Sequence, residues 1–135
     1  MLQPLRLACT ALILALGSPA LADAPRPEPL RAAAPAGFKL SDTAGREVSP
    51  ATLAGRPYLL FLGFTHCPDI CPDTLQRLTL ALAEAGDAAD RVTVLFASVD
   101  PERDTAAALK AYLDAIDPRI RGVTGRPAAV AELVR

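Results

Sequence analysis

The sequence contains few of the side chains that nucleic-acid-binding proteins use. It has no tryptophan, two tyrosines and four phenylalanines in 135 residues. So few aromatic rings argue against the stacking platforms on which single-stranded nucleic acids are bound. The net charge of −1 gives no electrostatic attraction to nucleic acid or to an anionic membrane surface. We therefore expect no nucleic-acid partner, and membrane contact only through an N-terminal anchor.

The sequence also lacks the usual combinations of catalytic residues. His66 is the only histidine, and neither a glycine-rich phosphate-binding loop nor a Ser/His/Asp set is present. Paired carboxylates for hydrolysis are not convincing, because no base or nucleophile accompanies them. We expect a protein that is not an enzyme in the turnover sense, although thiol–disulfide reductase activity stays open.

The first 22 residues have the composition of an export signal. Arg6 precedes an uncharged apolar run at 7–16, and Ala20-Leu21-Ala22 has the small-x-small pattern of a cleavage site. Residues 1–22 are predicted to be a signal peptide, or an N-terminal membrane anchor if they are retained. The protein is then expected in the periplasm or at the periplasmic face of the inner membrane.

The remainder divides into a short connector and one domain. Alternating prolines at 23–36 support neither a helix nor an inner strand and predict a Pro/Ala-rich tether, or simply a disordered start of the exported protein. Residues 37–135 are long enough for one domain.

Two unbroken apolar runs, at 58–64 and 92–99, predict strands buried on both faces. Leucines at helical spacing predict a helix at 72–85 between them, and a second helix is predicted at 105–116. The order of strand, helix, strand and helix indicates an α/β fold with a parallel crossover.

The two ends of this domain are less clearly patterned. A short strand is predicted at 38–40, followed by a turn at 42–46. A third helix begins near Pro127, and its apolar residues are expected to have little sheet to cover. We therefore expect a domain that is incomplete at its C-terminal end.

Cys67 and Cys71 lie where the first long strand passes into the first helix. Free N–H groups and the helix dipole favour an anion at a helix start, so one or both thiol pKa values should fall. Four positions apart around a turn, the two sulfurs could bind one ion or form a disulfide. Two soft sulfurs favour Cu(I) over zinc, which usually needs more protein ligands. A stabilising disulfide is the structural alternative.

The polar residues around the cysteines have simpler interpretations. His66 could be a third ligand, but neighbouring side chains of an extended segment point in opposite directions, which favours a loop role. Asp69 and Asp73 are interpreted as loop and first-turn acids that suit the helix dipole. Asp100 could approach the cysteines from the second strand, although a turn with a helix cap explains it better.

Three segments resemble the Sco/SenC family of copper chaperones. The first is residues 61–72, which include the Cys-x-x-x-Cys motif; the second is residues 98–105, and the third is residues 122–125. The resemblance extends over about 38–135. Its first motif is specific, because ordinary thioredoxins carry Cys-x-x-Cys.

The resemblance implies a thioredoxin-like fold and a role in building the binuclear copper site of cytochrome c oxidase. It implies that Cys67 and Cys71 bind Cu(I) and Cu(II) and form a reversible, redox-active disulfide, and that the histidine of the first motif is not a ligand. The implied partners are the oxidase copper-site subunit and, beyond it, other copper chaperones or a thioredoxin-like reductant. The family's third ligand, a downstream histidine, has no counterpart here, so weak or absent Cu(II) binding is expected.

Two other functions remain open for the same cysteines. A periplasmic thiol–disulfide oxidoreductase would use Cys67 and Cys71 without needing copper, and a redox or copper sensor would use them to signal. Stoichiometric copper after anaerobic loading distinguishes the chaperone from the oxidoreductase.

Overall fold

A five-stranded sheet forms the centre of the fold. The computed structural model describes residues 37–135, so the predicted signal at 1–22 and the predicted tether at 23–36 lie outside the described residues. The strands are β1 (Leu40–Asp42), β2 (Glu47–Val48), β3 (Tyr58–Gly63), β4 (Thr93–Ser98) and β5 (Ile120–Thr124). Their order is β2-β1-β5-β4-β3, with β3, β4 and β5 parallel and β1 antiparallel to both neighbours.

Three helices connect and cover these strands: α1 (Ile70–Ala85), α2 (Ala106–Asp114) and α3 (Pro127–Leu133). Gly86 ends α1 with a φ of 52°, a conformation that glycine adopts readily. Thr105 begins α2 by accepting a hydrogen bond from the N–H of Ala108. The predicted β3–α1–β4–α2 order is therefore confirmed. Among residues 37–135, no helix is both long and apolar enough to span a bilayer.

The sheet separates two apolar clusters. One face packs against α1 and α2, and its buried members include Leu75, Val94, Phe96, Leu109 and Leu113. α3 covers the other face, where the buried members include Phe38, Leu40, Leu95, Val123 and Val130. Side chains of a strand alternate between faces, so β4 contributes to both clusters.

Two sequence predictions about packing are wrong. β3 is not buried on both faces, because Leu59 and Leu62, which alternate between the two faces, are each 40% exposed. It is also an edge strand that pairs only with β4 among the described strands. An apolar run indicates a strand but does not distinguish an edge from a centre. The third helix does cover sheet: Val130 and Leu133 are buried against the second cluster.

The buried carboxylate of Asp42 ties β1 to β5 through ion pairs with two arginines. Its carboxylate accepts hydrogen bonds from the guanidinium groups of Arg46 and Arg121 and from the N–H groups of Ala44 and Arg46. Burial alone raises the pKa of Asp42, but the Arg46 N–H and the two arginine side chains outweigh it and lower the pKa to about 2. The charged carboxylate therefore stabilises the folded state.

Acid should destabilise the protein through this carboxylate. Because the folded-state pKa lies below the unfolded value, the stabilisation is complete above about pH 4 and disappears as the pH falls through 2. Between pH 5 and 2.5, wild type should lose about 1.5 kcal/mol more unfolding free energy than Asp42→Asn. Urea unfolding at both pH values measures this. An equal loss in the two proteins would contradict the role of Asp42.

Candidate metal centre

The two cysteines lie at the junction between β3 and α1. β3 ends at Gly63, a short loop carries Cys67, and Cys71 is the second residue of α1. The first-turn N–H groups of a helix have no partner within the helix and point toward the preceding loop. The loop thus places the Cys67 sulfur where these groups can bind it.

Cys67 has the surroundings of a stabilised thiolate. The side chain of Cys71 and the N–H groups of Cys71, Asp69 and Ile70 donate toward its sulfur and lower the pKa of Cys67, against a smaller opposing effect of burial. Cys67 is also partly exposed. It is therefore the accessible and more acidic thiol of the pair.

Cys71 has the opposite surroundings. It is 4% exposed, and its sulfur lies beside Gly63 and the ring of Phe96. Burial raises the pKa of Cys71, and so does the neighbouring Cys67, although the N–H of Phe64 partly offsets both. The sequence expectation that at least one thiol pKa falls is correct for Cys67, while the pKa of Cys71 rises.

The two thiols meet. Both cysteines are free, and their side chains are within hydrogen-bonding reach of each other. This nearness is what a four-residue spacing around a turn allows. The arrangement can bind a soft metal ion between two sulfurs or close to a disulfide. Which of these occurs stays a prediction.

The His66 ring lies against Thr65 and Asp104. Its side chain is 60% exposed, and Nδ1 lies 3.0 Å from the Thr65 hydroxyl and 3.8 Å from a carboxylate oxygen of Asp104. No three His, Cys, Asp or Glu side chains gather closely enough to hold a metal ion among residues 37–135. This agrees with the interpretation of His66 as a loop residue.

The acidic residues near the pair have ordinary structural roles. Asp69 stands at the start of α1 but makes no capping hydrogen bond with its side chain. Asp73 pairs with Arg77 one turn along the helix, and Asp100 pairs with Arg103 in a turn after β4. Their interpretation as loop, first-turn and turn acids is therefore supported.

A buried carboxylate behind the loop went unrecognised in the sequence. The Asp104 side chain is fully buried and accepts hydrogen bonds from the Thr65 hydroxyl (2.6 Å), the Thr65 N–H (3.0 Å) and the Ser98 hydroxyl (2.6 Å). Burial raises the pKa of Asp104, but the Ser98 and Thr65 hydrogen bonds outweigh it and lower the pKa. Asp104 thus fastens the loop before Cys67 to the end of β4.

A methyl group at Gly63 should disturb Cys71. A Cβ there would lie 2.8 Å from Phe96 and 3.2 Å from the Cys71 sulfur, so Gly63→Ala forces both to shift. Overpacking of this kind costs about 1–3 kcal/mol. We expect Gly63→Ala to lower the unfolding free energy and to change the alkylation rate of Cys71.

The control for Gly63→Ala is the same substitution at Gly122, a tightly packed glycine that does not contact Cys71. At Gly122 a Cβ would lie 2.8 Å from Leu109 and 2.9 Å from Leu113. Gly122→Ala should destabilise the protein similarly and leave the alkylation rate in the folded state unchanged. Equal changes in Cys71 alkylation for the two variants would show that the effect is not local.

Comparison with known proteins identifies the family. The family model SCO1/SenC matches residues 27–135. The mitochondrial protein SCO2 homolog of Bos taurus is 44% identical over 114 residues, which cover 82% of this chain and 43% of that protein.

Two solved structures show how far the likeness extends. A copper-bound structure of ScoI from Bradyrhizobium japonicum is 45% identical, has a TM-score of 0.69, and is matched over 73% of this chain and 62% of its own. The structure of BsSco, described with a disulfide switch and as a member of the Sco family of cytochrome c oxidase assembly proteins, is 25% identical with a TM-score of 0.62; the match covers 73% of this chain and 60% of that one.

The chain therefore spans less than half of the bovine relative and about three fifths of these two structures. The α/β, thioredoxin-like fold class that the sequence resemblance implied is confirmed. The chain belongs to the SCO1/SenC family.

Proposed function

We propose that this protein binds copper between Cys67 and Cys71 and delivers it to the copper-site subunit of cytochrome c oxidase during assembly. The observation that carries the proposal is the meeting of two free thiols at the start of α1, one partly exposed with a lowered pKa and the other buried with a raised pKa. Relatives described as copper-bound or as oxidase assembly proteins support it.

The donor set favours Cu(I) over the other biological metals. Two thiolates suit a soft, monovalent ion, whereas structural zinc is held by four protein ligands. The described residues supply two sulfurs at this place and no third ligand. We therefore expect Cu(I) to bind more tightly than Cu(II), which prefers harder nitrogen and oxygen donors.

Copper is the cargo, and the two sulfurs have different tasks in moving it. Cys71 is buried and held by Phe64 and its neighbours, so it keeps its place. Cys67 is accessible, so an incoming cysteine sulfur of the partner reaches its side of the ion first. Copper then passes by exchange of one sulfur ligand for another.

The location of the protein follows from the same proposal. Residues 1–22 have the composition of an export signal, and export would carry the cysteine pair out of the cytoplasm. We propose the periplasm or the periplasmic face of the inner membrane. Specific partners beyond the oxidase, such as other copper chaperones or a thioredoxin-like reductant, belong to the proposal as well.

The unequal thiols also favour a second function, thiol–disulfide reduction. The Cys67 thiolate would attack a disulfide of the client and release one client thiolate. Cys71 would then lose its proton and displace the second client sulfur from the mixed disulfide. The client leaves with two thiols, and Cys67 and Cys71 leave as a disulfide, which an external dithiol must reduce.

Anaerobic Cu(I) titration against a competing chelator distinguishes the two functions. We expect one Cu(I) per wild-type chain and loss of this binding in Cys67→Ser and in Cys71→Ser. Ser41→Ala, far along the chain on β1, is a control that should bind normally. Absence of copper from the reduced wild type, together with a mixed disulfide trapped by Cys71→Ser, would favour the reductase instead.

A further inference from the structure

Ile70 is an apolar side chain outside the core. It is 71% exposed, and no other large apolar residue among 37–135 is more exposed. The buried side chains of α1 are Cys71, Leu75 and Leu82, and Ile70 does not belong to that stripe. Single exposed apolar residues are common on protein surfaces, so exposure alone assigns Ile70 no role. The argument for a role comes from its position at the two cysteines.

The backbone of Ile70 contacts both cysteines. Its N–H group donates toward the sulfur of Cys67, and its carbonyl carbon is bonded to the nitrogen of Cys71. Its side chain therefore projects into solvent directly beside the pair. Because Cys67 is the accessible sulfur, a protein that brings its own sulfur to Cys67 also reaches the surface around Ile70.

Negative charge lies next to this apolar side chain. Asp69 is exposed and makes no ion pair with any residue in the described part of the chain. Asp73, one turn further along α1, is paired with Arg77. One uncompensated carboxylate beside one exposed apolar side chain is complementary to a surface that offers an apolar group and a lysine or arginine.

We propose that Ile70 is the apolar contact through which the copper-receiving protein docks while it takes copper from Cys67, and that Asp69 pairs with a basic residue of the same partner. This inference rests on the proposed copper function and describes the partner surface that the function needs. Copper remains Cu(I) throughout. Each partner thiol that binds copper loses a proton, and each cysteine sulfur that releases copper takes one up.

Ile70→Ala tests the docking role. Cu(I)-loaded full chain is mixed anaerobically with the reduced, metal-free copper-site subunit of cytochrome c oxidase, and the copper on each protein is measured after rapid separation. At partner concentrations below saturation, Ile70→Ala should transfer copper about tenfold more slowly than wild type, because less apolar surface is buried on docking. Equal transfer rates for wild type and Ile70→Ala overturn the proposal.

Leu80→Ala is the matched control. Leu80 is 64% exposed on the same helix, about 15 Å further along its axis. Leu80→Ala should transfer copper at the wild-type rate. If it slows transfer as much as Ile70→Ala does, the effect is not specific to the surface around Cys67, and the proposal is overturned.

Transfer to dithiothreitol separates docking from the chemistry at the sulfurs. This small dithiol has no apolar surface to place against Ile70. We expect wild type and Ile70→Ala to lose Cu(I) to it at the same rate and to have equal unfolding free energies, since Ile70 lies outside the core. A tenfold slower loss from Ile70→Ala here as well would place its effect at the copper and overturn the docking role.

Ionic strength tests the part assigned to Asp69. Transfer from wild type to the subunit should slow when the ionic strength rises from about 0.02 M to about 0.3 M, because salt screens exposed charges. Asp69→Asn should respond less to salt. Asp87→Asn, which removes the same charge just beyond the other end of α1, should respond like wild type. An equal response of wild type and Asp69→Asn overturns the role of Asp69.

The docking proposal and the copper function fail in different ways. If wild type delivers Cu(I) to the subunit and Ile70→Ala delivers it equally fast, the docking proposal fails and the copper function stands. If wild type binds no Cu(I) or delivers none, the copper function fails, and the docking proposal fails with it.

Discussion

Iodoacetamide at pH 7 should modify Cys67 at least tenfold faster than Cys71 in the reduced, metal-free protein. The thiolate is the reactive form, and the pKa is lowered at Cys67 but raised at Cys71. Each unit of difference in pKa changes the thiolate fraction about tenfold, and the burial of Cys71 slows its reaction further. Peptide mass spectrometry after timed quenching gives the two rates.

The pH dependence and a denatured control make this result specific to the fold. The Cys67 rate should reach its plateau at a lower pH than that of an ordinary thiol, whereas the Cys71 rate should still be rising there. In urea, where helix and burial are lost, the two rates should become similar. Equal rates in the folded protein would contradict the assigned surroundings of the pair.

Replacing Asp104 by alanine should cost about 3–5 kcal/mol of unfolding free energy. The substitution leaves the buried hydroxyl of Ser98 and both the hydroxyl and the N–H of Thr65 without their acceptor. Urea unfolding measures the loss. Asp100→Ala is the control. It removes only the ion pair between Asp100 and Arg103 at the surface, and it should cost less than about 1 kcal/mol.

Asp104→Asn tests the role of the charge at nearly constant shape. The amide can still accept from a hydroxyl but cannot satisfy all three donors, so its cost should lie between the wild type and the alanine variant. Both variants should also bring the alkylation rates of Cys67 and Cys71 closer together, because the loop before Cys67 loses its anchor on β4. An unchanged ratio of rates would show that the loop holds its place without Asp104.

Local patterns made much of the fold predictable. The leucine spacing of α1 and the apolar run of β4 follow from periodicity, and both elements appear in the structure. The location of the cysteine pair was predictable for the same reason. Cys67 and Cys71 are four residues apart at one strand-to-helix junction, and this local geometry decides where their sulfurs lie.

Long-range packing was not predictable in this way. β5 went unrecognised because Arg121 and Gly122 interrupt its apolar run, although Gly122 is needed where the strand meets Leu109 and Leu113. The edge position of β3 depends on which strands pair with one another, and the apolar run of one strand carries no information about that pairing.

The same limit applies to the residues around the candidate site. An acidic residue just before a helix is ordinary, so nothing local set Asp104 apart, yet its partners Thr65 and Ser98 make it a buried anchor.

Copper K-edge X-ray absorption of the Cu(I)-loaded protein tests most directly whether both sulfurs bind one ion. The measurement should use monomeric protein carrying one copper per chain, with Cys71→Ser as the comparison. We predict two sulfur neighbours per copper in wild type and fewer in Cys71→Ser. Copper surrounded only by nitrogen and oxygen, or two sulfur neighbours that persist without Cys71, would contradict the account.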